Sequence, residues 1–319
     1  DIENEIRSVA SLVYYHVWDN FPHPKFNRQY YLSNDMIATI SKVTDEIVRT
    51  VAPEVDCVRI PHTVNTDIFT KIPEKEAQEF INANETFLDE NGDKKFIFFW
   101  NNRNARRKMS GSVLWWFAEW AKNIGEDKVL FIMHTEPNDS NGQDLNAIIH
   151  ELNAENDVVL SVQKVGMPEL SVLYNVADCT VNISDAEGFG LGTLESLATE
   201  TPIIVNMTGG MQEQVTDGNE WFGIGIEPAS KAIIGSQDVP YIYEDRVSKE
   251  DFTAALDKMY NTSKEDREEL GKKGRQHVLN NYGFDSYVSQ WDQELTRVFE
   301  SKGSWSNRKH KSWEFLKVL

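Results

Sequence analysis

Glu187 and Glu195 stand eight positions apart in DAEGFGLGTLESLATETP, residues 185 to 202, with Gly188, Gly190 and Gly192 between them. The apolar run CTVNIS, residues 179 to 184, reads as a strand leading into this loop, and helix-competent residues begin near Gly190. A helix N-terminus preceded by glycines exposes unpaired N–H groups at the positive end of the macrodipole, and the missing side chains let an anion come close. A phosphate fits there. Glu195 lies roughly 7 Å along the axis at 1.5 Å per residue, and helical side chains lean back towards the N-terminus. Its carboxylate is therefore within reach of a ribose diol one sugar away from that phosphate. Glu187, ahead of the helix, faces the other side, so one carboxylate per flank suggests one sugar per flank. Spacing alone leaves two other readings open. Carboxylates near a helix start stabilise the macrodipole in any protein, and two carboxylates flanking a sugar can form the acid/base pair of a glycoside hydrolase.

A second element narrows the choice. FFWNNRNARRKMSG puts Arg103, Arg106, Arg107 and Lys108 in one loop after an apolar strand. A solvated basic patch is the ordinary reading of such a run. Yet acidic residues outnumber basic ones 51 to 32 for a net charge of -19, a balance that repels nucleic acid and anionic membrane surfaces and excludes a nucleic-acid partner. In so acidic a chain, cations gathered at a ligand edge are the expected counter-charge for a diphosphate. A hydrolase of neutral glycans has no diphosphate to hold.

The elements that must position these groups follow from periodicity. From residue 95 onward, β-rich runs (KFIFFWN, KVLFIMHT, DVVLSV, CTVNIS, PIIVNM) alternate with segments of helical period. Strands apolar on both faces and separated by helices form a parallel sheet covered on both sides, here a doubly wound, Rossmann-type lobe with about five parallel strands. Ligands in such sheets bind beyond the carboxyl ends of the strands, which selects the loops after Trp100, His134, Val162, Ser184 and Met207. Residues 1–75 read as the last part of another α/β lobe, too short to be complete, so its first strands are expected outside this chain, supplied for instance by another polypeptide. Residues 72–94 read as a surface connection, and DENGDKK within it lacks the alternating ligands of a calcium loop. The expected division is an N-terminal acceptor-side lobe over 1–75, a C-terminal lobe over 76–285, and a helical segment over 286–319 packing back on the first lobe. Cys57 and Cys179 sit in apolar contexts as small buried residues. No run reaches the roughly 18 apolar residues of a membrane span, and the start DIENEIRS is unlike a signal peptide. A soluble, cytoplasmic protein without an integral membrane span is expected.

DAEGFGLGTLESLATETPIIVNMTGG resembles the nucleotide-sugar motif of the retaining GT-B glycosyltransferases, in the large group that carries a Glu-x7-Glu pair. MPELSVLYNVADCTVNIS, RIPHTVNTDIF and TGGMQEQV are similar to further elements of that family, in the family's order, and the likeness runs over about residues 10 to 220. It implies a GT-B-like fold and transfer of a sugar, with retention of configuration, from a UDP- or GDP-linked donor to a glycan, lipid or protein-glycan acceptor, with no metal or other cofactor. By the same resemblance Glu195 holds the nucleotide ribose, and Arg103 and Lys108 neutralise the diphosphate. Gly188, Phe189, Gly190, Leu191, Gly192 and Thr193 hold the donor sugar and phosphate. Glu187 contacts sugar hydroxyls near the reacting carbon, and His16 stands near the donor sugar. His62, in the crossover turn, reads as structural. Trp18, Phe21 and Phe26 are expected on the acceptor side, and Trp115, Trp116 and Trp120 on the buried face of a helix. Two departures from the family pattern matter. Lys108-Met109 replaces the usual Lys-Gly, so the start of the following helix is expected to be shifted or capped by Ser110. The shortened first lobe makes an inactive nucleotide-sugar-binding module the alternative to an enzyme.

Overall fold

Apolar residues on both faces of short β-runs require helices on each side of a sheet, and the computed structural model, which describes residues 2–125, 127–303 and 307, builds two lobes on that rule. The first contains α1 (Ile2–Val9), β1 (Val13–His16), α2 (Arg28–Leu32), β2 (Met36–Thr39), α3 (Lys42–Val51) and β3 (Cys57–Arg59). Its strands pair in parallel in the order β1-β2-β3. Ser41 starts α3 by accepting the Thr44 N–H at its hydroxyl, and Val48 and Val51 bury their side chains with Ile37 of β2.

The second lobe runs through α4 (Glu74–Asn82), β4 (Phe96–Asn101), α5 (Ser110–Ile124), β5 (Val129–His134), α6 (Leu145–Leu152), β6 (Val158–Ser161), α7 (Met167–Val176), β7 (Cys179–Asn182), α8 (Leu191–Ala198), β8 (Ile203–Asn206), α9 (Gln212–Val215) and β9 (Ile224–Ile226). The sheet order is β6-β5-β4-β7-β8-β9, parallel throughout. The chain winds outward from β4 one way and from β7 the other, which makes the gap between those two strands the topological switch point. Alternation along β4 sends Phe98 and Trp100 to one face, with Phe117 of α5, and Ile97 and Phe99 to the other, with Tyr174 of α7 and Leu194 of α8. After the sheet come an antiparallel hairpin of β10 (Ser230–Ile233) and β11 (Tyr243–Arg246), then α10 (Lys249–Tyr260), α11 (Lys264–Asn281) and α12 (Phe284–Lys302).

Several ties join the lobes. Val298, Tyr287 and Trp291 of α12 pack on Met36, Ala38 and Ile60 of the first lobe, and Arg297 forks onto Asp56 at 2.7 and 3.0 Å. Thr63 donates its hydroxyl to the Tyr282 carbonyl at 2.6 Å. Glu213 of α9 accepts the Lys42 N–H at 2.9 Å, placing a carboxylate at the positive end of α3.

Several expectations change. The sheet has six strands where about five were expected, because β9 is a three-residue Ile-Gly-Ile edge with no readable period. The hairpin of β10 and β11 was not anticipated, since SKAI and YEDR lack an apolar alternation. Residues 72–94 are more than a connection: α4 buries Ile81, and Phe87 follows it into the core against the sheet. Helix α5 is neither delayed nor capped by Ser110, which is its first residue and donates its hydroxyl to Asn104 Oδ1 at 2.6 Å. Met109 precedes it in the left-handed region, φ 58°, a conformation that suits glycine. Trp120 is buried as expected, but Trp115 is 45% exposed. The part of the 286–319 segment beyond residue 303, apart from residue 307, lies outside the described residues. No helix among the described residues is long and apolar enough to cross a membrane.

Ser248 and Ser263 cap α10 and α11 by accepting the Asp251 and Asp266 N–H groups. Ser263→Ala should cost about 1 kcal/mol, read as a lower thermal midpoint with faster amide exchange at Asp266.

Candidate functional site

A cleft of about 590 Å³ opens between the lobes at the carboxyl ends of β4 and β7. Its floor is the loop joining β7 to α8. Gly190 takes φ 91° at the N-cap of α8, a left-handed turn that a side chain would strain. The Gly210 N–H donates to the Glu187 carbonyl at 3.1 Å, and Gln214 Nε2 donates to the Phe189 carbonyl at 2.8 Å. Close approach fixes the rest. A Cβ on Gly209, φ +52°, would lie 1.7 Å from the Glu187 carbonyl oxygen, and one on Gly188 would lie 2.1 Å from Val17 Cγ1 of the other lobe. Gly188 is therefore needed for contact between lobes, besides any approach of a ligand.

The loop after β4 supplies the cations. Lys108 is 8% exposed, and its ammonium is ion-paired with the Glu187 carboxylate. Burial, and then the charge of Arg107, pushes that ammonium down to about 7, against the pull of Asp19; the Glu187 carboxylate favours the charged form. Arg107 donates to the Ala186 carbonyl at 2.8 Å and stands 3.5 Å from Glu187. Arg103 lies at the rim, forked onto Asp139 at 2.6 and 3.1 Å, and that guanidinium holds the Asp139 carboxyl well below its usual range. Arg106 turns away from the cleft, making a bidentate pair with Glu244 at 2.8 and 2.9 Å. Beneath this network Asp185 is fully buried and pushed up to about 7 by that burial, with Arg246 and Arg106 opposing it.

On the other flank, Glu195 accepts the Tyr174 hydroxyl at 2.7 Å, and Tyr174 in turn accepts Asn101 Nδ2 at 3.0 Å. Burial raises the Glu195 carboxyl, and the Tyr174 hydrogen bond works the other way. Tyr174 is wholly buried between the sheet and α8, so the Glu195 carboxylate is aimed by core packing.

Of the residues expected at the site, Arg103, Lys108, Glu187, Glu195, Gly188, Phe189, Gly190, Leu191 and Gly192 line this one cleft. Two do not. Thr193 is fully buried below the loop, its hydroxyl without a hydrogen-bond partner. His16 is 3% exposed, with Nε2 2.9 Å from the Tyr31 hydroxyl and its ring edge-on to Tyr31. It ends β1 behind the cleft wall, because alternation along that strand turns it inward. The histidine that does line the cleft is His62, tilted against Phe189 at 6.0 Å. Trp18 and Phe26 pack edge-on against each other at 5.9 Å and do not line the cleft. Asp19, Asn20 and Glu244 also line the cleft and carried no assigned role. Asp19 and Asn20 were findable, since they follow the carboxyl end of a strand. Glu244 was not, because it arrives on the unforeseen hairpin.

Comparison with known proteins bears on the family and the fold. The model of a family described as glycosyl transferases group 1 matches residues 81–277. A D-inositol 3-phosphate glycosyltransferase from Arthrobacter sp. (strain FB24) is 31% identical over 99 residues, which is 31% of this chain and 23% of that protein. Sucrose-phosphate synthase from Thermosynechococcus elongatus superposes with a TM-score of 0.67 at 20% identity, covering 86% of this chain and 61% of that one. Anabaena HepE in complex with UDP and glucose gives a TM-score of 0.66 at 12% identity, covering 86% of this chain and 67% of that one. These structures share the GT-B-like fold. The matched region thus spans about a quarter of the curated relative and less than two thirds of the synthase.

Two measurements check the site as built. Gly209→Ala should lower stability by about 2 kcal/mol or more, through clash and backbone strain together. Gly218→Ala, where φ is +96° and no atom lies within 4 Å of the added carbon, should show the smaller cost of strain alone. Burial pushes the His16 imidazole from 6.5 down to about 4. The unfolded chain binds that proton first, so stability present above pH 6.5 is lost as pH falls towards 4. In His16→Gln the drop in thermal midpoint between about pH 7 and about pH 4.5 should shrink.

Proposed function

The chain belongs to the glycosyl transferases group 1 family, and on that premise we propose that it moves a sugar from a UDP- or GDP-linked donor to an acceptor hydroxyl, with retention of configuration and without a metal ion. The observation that carries this reading is one cleft at the switch point lined by Glu187, Glu195, Arg107 and Lys108, with both cations against Glu187. In the reaction the bond from the anomeric carbon to the diphosphate breaks as the bond to the acceptor oxygen forms. The acceptor proton passes to the departing phosphate, so no separate protein base is required. Negative charge grows on that phosphate in an oxocarbenium-like transition state, and preorganised cations at that point lower the barrier. Arg107 and Lys108 occupy that position, with Arg103 at the rim, and their charge takes the part that a divalent metal plays elsewhere. Glu195, held by Tyr174, takes the ribose diol, and Glu187 takes sugar hydroxyls once the phosphate has drawn Lys108 from it.

The same geometry weakens the hydrolase reading. Glu187 is paired to an ammonium and Glu195 to a phenol hydroxyl, an arrangement that serves neither as a proton-donating acid nor as its partner base.

Calorimetric titration with UDP and GDP, followed by assay of sugar release or transfer from their sugars, tests the proposal. Binding with turnover that survives a chelator is expected. Lys108→Ala should lower kcat on the order of 10²-fold, whereas Glu195→Ala should act mainly on the donor KM. Nucleotide binding without any turnover would leave a binding module, and glycan hydrolysis without nucleotide binding would overturn the reading.

A further inference from the structure

The cations and the three glutamates of the cleft come from beyond the first lobe, and Asp19 enters it from the first, on the loop after β1. That loop is pinned on both sides of Asp19. The Trp18 carbonyl accepts the Thr44 hydroxyl of α3 at 2.9 Å, Asn20 Nδ2 donates to the Tyr243 carbonyl at 3.2 Å, and the Tyr243 N–H donates to the Phe21 carbonyl at 2.8 Å. The loop also rests directly on the Glu187 segment: Val17 occupies the space above Gly188, and Asp19 Cβ would lie 3.4 Å from a Cβ on Gly209. A carboxylate delivered by one lobe is thus held against the loop of the other that carries Glu187.

The three carboxylates at this end differ in what they touch. Glu187 is paired with Lys108 and Glu244 with Arg106. Burial raises the Asp19 carboxyl, Glu244 adds to that, and the charges of Arg107 and Lys108 work the other way. No other residue's side chain is hydrogen-bonded or ion-paired to it among the described residues, and its carboxyl takes a hydrogen bond from its own backbone N–H. It lines the cleft beside the cations proposed to hold the diphosphate, which is where the transferred sugar must lie.

We propose that Asp19 accepts a hydroxyl of the transferred sugar, and that the cleft thereby selects uncharged hexosyl donors over hexuronosyl donors. This rests on the nucleotide-sugar reading above. A sugar O–H donated to a carboxylate is a charge-assisted hydrogen bond. A uronate in the same place sets its carboxylate against Asp19, with Glu187 and Glu244 close behind, and like charges brought together out of water discriminate strongly.

The test compares UDP, UDP-glucose and UDP-glucuronate, and in parallel GDP, GDP-mannose and GDP-mannuronate, by calorimetry on the full chain and on Asp19→Asn. The unsubstituted protein should bind the neutral sugar nucleotide roughly tenfold or more tightly than its uronate. Asp19→Asn, of the same shape without the charge, should bring that ratio to within about threefold and leave UDP or GDP binding equal or tighter, as removal of an anion beside Arg107 and Lys108 requires. Asp19→Ser serves if the asparagine variant does not fold. Equal affinity for neutral and uronate donors in the unsubstituted protein, or an unchanged ratio in a folded variant that still binds the nucleotide, overturns the assignment of Asp19 alone. Failure of both nucleotides to bind overturns the nucleotide-sugar reading and this assignment with it.

Discussion

The ion pair between Lys108 and Glu187 is the contact around which the site is organised. An ammonium at 8% exposure costs several kcal/mol to bury unless an anion stands beside it, and at the switch point that anion comes from the β7–α8 loop. For Glu187 to reach Lys108, the loop has to turn sharply. Gly190 provides the left-handed turn, while Gly209 and Gly210 leave room for the backbone of residues 187 to 189 to pass within contact distance. The glycines around the start of α8 therefore bring the internal carboxylate to the lysine.

The same balance extends outward. Arg106 is held by Glu244, Arg246 by Asp185 and Arg103 by Asp139. In a chain of net charge -19 the cluster of basic residues is not a free positive patch, because each member has been matched with a carboxylate from another element. Two of those carboxylates, Asp185 and Glu244, are buried, where breaking a pair costs far more than at the surface. Arg103 and Asp139 meet at the exposed rim, where pairing contributes little, so Arg103 is the cation most easily recruited by a ligand.

Closure of the cleft depends on ties remote from it. Helix α12 returns from the second lobe to bury Val298 and Trp291 on the first, Glu213 holds the start of α3, and the β10–β11 hairpin grips the loop that carries Asp19. The hairpin is polar and half-exposed, and it owes its place to backbone pairing with Phe21 rather than to an apolar face. Sequence periodicity reports burial, so an element fixed by hydrogen bonds across a lobe boundary gives no periodic signal.

What the sequence determined by itself was the doubly wound sheet and the gathering of Glu187, Glu195, Arg103 and Lys108 at one sheet edge. Each follows from local period or from the rule that parallel strands present their loops at a common edge. Tertiary structure decided which polar groups face the ligand and which are spent on one another. His16 and Thr193 carry the right chemistry in the right segments but turn inward, whereas Arg106, one residue from the cleft-lining Arg107, is drawn off by Glu244. Side-chain direction at a strand end or in a tight loop, and the partner that a charge meets across some 140 residues of chain, as for Arg106 and Glu244, depend on packing between elements. No local stretch of sequence encodes that packing.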